Sequence, residues 1–149
     1  MEWMLLPLRR YAEFSGRSRR KEYWMFALLI FLVYAVGGAL TFSAIWPALT
    51  TGTPVDWAGM SAIGWLGMTI LGLFFLAIVI PGIAVTVRRF HDRDMSGWWY
   101  LGFVIAGMIP KIGGLFSLAV LVLMALPGTP GPNRYGADPK DPLDTEAFA

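Results

Sequence analysis

An all-α integral membrane protein is the fold class this sequence predicts, on three observations. Of its 149 residues, 56% are hydrophobic and 15% charged, whereas an average soluble domain has about 25% charged residues. A surface facing water needs that charge; a surface facing lipid does not. The charges are also bunched, with none in residues 23–55, 57–87, 95–110 or 112–133. The first two of these runs exceed the roughly 20 apolar residues that cross a ~30 Å hydrocarbon core. Finally, the basic excess lies at the start of the chain, where six Lys/Arg stand beside Glu2 and Glu13. The expected architecture is a small helical bundle: two full transmembrane helices, a short C-terminal helical hairpin and an interfacial N-terminal helix. One membrane domain is expected over residues 1–139, with segments at about 23–45, 60–80, 97–110 and 112–126.

Residues 1–14 read as a short amphipathic helix lying among the headgroups. Arg9, Arg10 and Glu13 fall within one turn, and Trp3, Leu5, Leu8 and Ala12 share the other side. The alternative is a basic tail in which Pro7 is a breaker. The apolar run that follows is too long, and its leader too long, for a cleaved signal peptide, so a signal anchor is expected. Gly16 breaks the first helix, Ser18 is positioned to cap the next, and Tyr23 and Trp24 sit where an aromatic belt belongs. Trp46-Pro47 is expected to end that helix. Residues 48–59 form a loop whose one charge is Asp56.

The second long helix is expected to kink or end at Pro81-Gly82 and to continue for a turn toward a charged knot at residues 88–94. Gly64, Gly67 and Gly72 offer it close-packing surfaces. Residues 97–126 allow two topologies. One kinked span would place Lys111 near the bilayer centre, at some 2.5–3.5 kcal/mol even on a lenient scale. A hairpin turning at Pro110-Lys111-Ile112-Gly113-Gly114 carries Lys111 to the headgroups, and is preferred although three spans remain the alternative. Residues 127–139 are a run of turns, and the tail from residue 140 is acidic and expected to be disordered.

Basic residues precede the first long helix and follow the second, with none between. The positive-inside rule then puts the N-terminus and the knot in the cytoplasm, and the hairpin returns the C-terminus there too. Three polar clusters would face one another: residues 17–22, 88–94 and 133–138.

These clusters are the stretches Ser-Gly-Arg-Ser-Arg-Arg-Lys-Glu-Tyr-Trp, Arg-Arg-Phe-His-Asp-Arg-Asp-Met-Ser-Gly-Trp-Trp and Pro-Gly-Thr-Pro-Gly-Pro-Asn-Arg-Tyr-Gly-Ala-Asp-Pro. Together they resemble domain-of-unknown-function family 805, small bacterial inner-membrane proteins, over roughly residues 11–139. Members often carry Leu where this chain has Phe90. The resemblance implies a multi-pass inner-membrane protein and implies no reaction. It groups Gly16, Arg17, Arg20, Glu22, Tyr23 and Trp24; Arg88, Arg89, His91, Asp92, Ser96, Gly97 and Trp98; and Asn133, Arg134, Tyr135, Gly136 and Asp138.

Three readings of this polar surface compete. In the structural reading, which ranks first, Arg17, Arg20, Arg88 and Arg89 set topology, Glu22 and Asp92 neutralise two of them, and Trp98 and Trp99 anchor the interface. The protein is then a structural, scaffold or envelope-associated one. In the second reading the arginines, with Tyr and Trp beside them, bind an anionic lipid headgroup or another anionic ligand. The third is an enzyme or transporter subunit, and little supports it. Adjacent helical residues point about 100° apart, so Asp92 is poorly placed to orient His91. One histidine and no cysteine argue against a metal site, and no phosphate loop, nucleophile elbow or H-E-x-x-H is present. No cofactor is expected and the partner is the phospholipid bilayer, with no nucleic acid. Oligomeric state is open. Arg134 has Glu22 or Asp92 as candidate partners if the tail folds back.

Overall fold

The computed structural model describes residues 2–140. The expected disordered tail therefore lies almost wholly outside the described residues. Five helices follow one another: α1 (Glu2–Arg9), α2 (Arg20–Thr51), α3 (Ala62–His91), α4 (Trp98–Gly107) and α5 (Gly113–Ala125). At ~1.5 Å per residue, α2 and α3 are about 48 and 45 Å long, more than a hydrocarbon core requires. Their most apolar windows have mean hydropathies of 2.3 and 2.7. Both are long and apolar enough to cross a membrane. Large apolar side chains such as Phe31, Leu73 and Leu76 are about two-thirds exposed along them, which water would penalise and lipid would not.

The chain divides into two compact units, Ala27–Val79 and Met1–Phe26 with Ile80–Ala149. Within the first, α2 and α3 run antiparallel in tight register. Tyr34 meets Phe74, with ring centroids 6.0 Å apart. Gly37 abuts Leu71, Thr41 abuts Gly67, and Ala44 abuts Gly64. The contacts thus advance by three, four and three residues on α2 and retreat by the same steps on α3. That alternation is the knobs-into-holes spacing of a two-helix seam. A Cβ on Gly67 would stand 2.7 Å from the Gly37 carbonyl oxygen and 2.8 Å from the Thr41 nitrogen, so glycine is required there. Gly72, expected to do the same, faces open space.

Three helix boundaries differ from expectation. Trp46-Pro47 does not end α2, which runs on to Thr51. Pro47 leaves the Ser43 carbonyl without its helical donor, yet the helix runs on for another turn, in which the hydroxyls of Thr50 and Thr51 each donate to the Pro47 carbonyl at 2.9 Å. The helix stops at Gly52, whose φ of +67° lets Thr53 donate back to the Ala48 carbonyl at 3.1 Å. This is a Schellman ending, legible in advance from the glycine alone. Pro81 does not end α3, which continues past the expected single turn to His91. The N-terminal helix stops at Arg9, not residue 14, because Glu13 N–H turns back to the Arg10 carbonyl. Pro7 lies buried inside it.

In the second unit, Asp94 (φ +57°) turns the chain from α3 toward α4, a conformation aspartate tolerates. Gly97 lets α4 start against α3, since a Cβ there would stand 2.6 Å from Val87 Cγ1. Phe90 is fully buried, with Tyr100 and Phe103 ring centroids 6.4 and 6.1 Å away. Helices α4 and α5, about 15 and 20 Å long, form two packed arms around a turn at Lys111 (φ +72°) in place of one kinked helix. A Cβ on Gly113 would collide with the Gly107 carbonyl. The interior of this unit is unusual: beside Phe26, Ala84, Val85, Phe90 and Met124 it buries Arg17, Glu22, Arg88, Arg89 and Asp92.

Candidate functional site

Those buried charges form a clasp. Asp92, placed by the last turn of α3, accepts Arg17 Nε at 3.0 Å on Oδ1, and its other oxygen accepts Arg89 Nη1. Arg17 comes from the loop before α2. Its remaining donors reach the tail, with Nη1 to the Gly131 carbonyl and Nη2 to the Thr129 carbonyl, both at 2.6 Å. Thr129 N–H returns to the Asp92 carbonyl at 2.8 Å. Arg89 also bonds the Met124 carbonyl at 3.2 Å and that of Leu126. Arg20 adds the Ala125 carbonyl at 3.2 Å. Arginines thus hold three successive carbonyls at the end of α5, where a helix leaves acceptors without donors and its dipole favours cations.

A second buried pair lies beside it. Glu22 accepts Arg88 Nη2 at 3.1 Å and the Ser18 hydroxyl at 2.8 Å, and Ser18 N–H donates to the Arg88 carbonyl at 3.2 Å. Ser18, expected to cap α2, spends its hydroxyl on this carboxylate. Isolated buried charges are expensive, and pairing with further hydrogen bonds is what makes such burial tolerable.

The tail motif closes over His91. Asn133 Nδ2 donates to the His91 carbonyl at 2.9 Å, and its Oδ1 accepts Tyr135 N–H at 2.9 Å. Asn133 and Gly136 exchange both backbone bonds at 3.0 Å, making a tight turn in which Gly136 has φ +134°. The Tyr135 ring lies flat on His91, centroids 3.9 Å apart and planes 3° from parallel. His91 Nδ1 is 3.2 Å from the Gly16 carbonyl. That oxygen can only accept, so Nδ1 carries the hydrogen. Arg134 pairs with Asp94, Nε to Oδ1 at 3.0 Å, and not with Glu22 or Asp92. Those two are already occupied and buried, while Arg134 is 60% exposed. Asp138 accepts Gly131 and Lys140 N–H at 3.0 Å each. Against the burial that would raise it, these bonds hold its carboxyl below the usual carboxylate range.

Of the residues singled out by sequence, Arg17, Arg20, Glu22, Arg88, Arg89, His91, Asp92, Asn133, Tyr135 and Asp138 thus belong to one connected network. Arg134 sits at its edge. Tyr23 and Trp24 pack edge-on against each other, centroids 5.6 Å apart, outside that network. The Ser96 hydroxyl accepts Trp98 N–H at 3.4 Å, and Trp98 is 78% exposed. An apolar cavity of about 530 Å³ opens beside them, lined by Phe14, Val87, His91, Trp98, Leu101 and neighbours. The partners missed were backbone groups of residues 124–131, which carry no side-chain signal, together with Arg10 and Glu13. Among the described residues no cluster of His, Cys, Asp and Glu could hold a metal ion.

The family model described as "Protein of unknown function (DUF805)" matches residues 11–137. The inner membrane protein YhaI of Escherichia coli K12 is 39% identical over 140 residues, 94% of this chain and 97% of YhaI. The inner membrane protein YhaH of the same strain is also 39% identical over 140 residues, 94% of this chain and 98% of YhaH. The uncharacterized protein YiiR is 27% identical over 146 residues, covering 86% of each chain. No solved structure matches the chain.

Proposed function

This chain belongs to the DUF805 family of proteins of unknown function, and from that premise we propose an integral inner-membrane protein with a structural or scaffolding role. Its working part is the clasp, which fastens the segment before α2, the end of α3 and the C-terminal tail into one cytoplasmic head. The inner-membrane assignment draws on the names of YhaI and YhaH. The cytoplasmic side draws on the basic residues at both places where the long helices meet the clasp. The observation that carries the reading is the Arg17–Asp92–Arg89 bridge, completed by the tail carbonyls of Thr129 and Gly131. Arg17 bonds the Gly131 carbonyl directly, which supports a reading with residues 17 and 131 on one side of the membrane, an even number of crossings, and α4 and α5 dipping in and out as a hairpin. Each guanidinium nitrogen of Arg17 and of Arg89 has an acceptor within the protein. That favours fastening over headgroup capture for these two arginines.

Paired reporter fusions that score cytoplasm against periplasm test it, placed before residue 2 and after residue 140. Both ends are expected in the cytoplasm. A periplasmic C-terminus would separate the halves of the clasp and refute the reading.

A further inference from the structure

Arg88 is handled differently from the other two buried arginines. It is fully buried, yet only Nη2 has a hydrogen-bond acceptor; Nε and Nη1 have none among the described residues. The anion facing Nη1 is Glu13, whose Oε2 stops 3.9 Å away, beyond hydrogen-bonding reach. Glu13 is held there by Arg10, which donates from Nε to Oε2 at 2.7 Å and from Nη2 to Oε1 at 2.5 Å. Both belong to the turn after α1, and Glu13 is 41% exposed. The Gly16 backbone at φ +78° passes close to the Arg10 guanidinium; a Cβ there would lie 3.7 Å from Nη2. Two guanidinium forks therefore bracket one carboxylate at the water-facing edge of a buried cluster.

A carboxylate has two oxygens. Arg10 engages both Glu13 oxygens, and the nearer of them stops 3.9 Å short of Arg88 Nη1. A tetrahedral oxyanion has more: two oxygens match the Arg10 fork while a third approaches Arg88 Nη1. Planar guanidinium forks suit phosphate for this reason. We propose that Arg10 and Arg88 form a site for a phosphate group, and that Glu13 is the chain's own stand-in, displaced into solvent when phosphate binds. The phosphate comes either from a phospholipid headgroup or from a soluble phosphate. The site shares Arg88 with the buried cluster but uses no residue of the Arg17–Asp92–Arg89 bridge, so its failure and the failure of that bridge are distinguishable.

The test uses the full chain in detergent. Phosphatidylglycerol binding is followed by native mass spectrometry and inorganic phosphate binding by calorimetry, with diacylglycerol as the phosphate-free probe. Glu13→Gln removes the competing charge and is expected to tighten phosphate binding by about tenfold. Arg10→Ala is expected to reduce it by a similar factor. Tightening for phosphatidylglycerol alone assigns the site to a headgroup; tightening for inorganic phosphate also, or alone, assigns it to a soluble ligand. The proposal is overturned if neither variant changes binding of either phosphate probe, or if diacylglycerol responds equally. A gain of binding in Glu13→Gln counts for the site when the variant's melting temperature in detergent matches the parent's to within a few degrees, and a gain that accompanies loss of the melting transition overturns it.

Discussion

Asp92 is the side chain on which most of the clasp converges. It pairs with Arg17 through one oxygen and with Arg89 through the other, and all three are buried. Removing one partner of a buried pair leaves the others uncompensated, which costs about 3–5 kcal/mol. Asp92→Ala is therefore expected to lower the detergent melting temperature sharply and to expose residues 127–139 to protease. Arg17→Ala should cost much less when added to Asp92→Ala than it does alone, because the two share one interaction. Glu13 belongs at the other extreme. The Arg10 hydrogen bond holds its carboxyl below the usual value of 4.5, against burial that would raise it. A carboxyl whose folded pKa is depressed stabilises the fold above its unfolded pKa and loses that contribution as pH falls through the folded one. The parent and Glu13→Gln should thus differ in stability at neutral pH and converge well below pH 4.5, a comparison that thermal melts across pH would make. With Glu13 41% exposed, the difference is small.

The element with the sharpest sequence requirement is the α2–α3 seam. Gly67→Ala drives a methyl into backbone atoms of α2, and overpacking of this kind costs about 1–3 kcal/mol. Gly72→Ala points into open space and gains helix propensity, up to about 1 kcal/mol. Opposite signs in detergent melting would verify the register; equal shifts would contradict it. Here the reach of sequence reading is plain. The glycines marked α3 as a packing helix, but one apolar residue looks like another, so the facing positions on α2 were hidden. Pro47 and Pro81 misled because a proline removes one bond from a long helix whose many other bonds persist, and both helices run on past it, to Thr51 and His91. The same holds at the clasp. Opposite charges in separate motifs announced that pairs would form, and the burial of Arg88 and Arg89 at 0% exposure did not show. The choice of partner turned on backbone carbonyls of the tail, which any sequence offers.

Taken whole, the protein closes on itself late. The bonds from Arg17 to Thr129 span 112 residues, so the clasp is set by topology far more than by local preference. The long helices and the two arms around Lys111 were legible because apolar length and turn chemistry are local, whereas the helix ends at Thr51 and His91 were not. The clasp needed three distant segments in one place, and the recurrence of charged motifs hinted at it without giving its geometry. That distance has a consequence for birth in the cell. At roughly 5–20 residues per second, Arg17 waits about 6–22 s after it is made before its tail acceptors exist. Asp92 is made earlier and supplies the countercharge, but until the tail follows two of the Arg17 guanidinium nitrogens lack their carbonyl acceptors. A copy that stops short of residue 129 therefore carries a fastening with its second half missing.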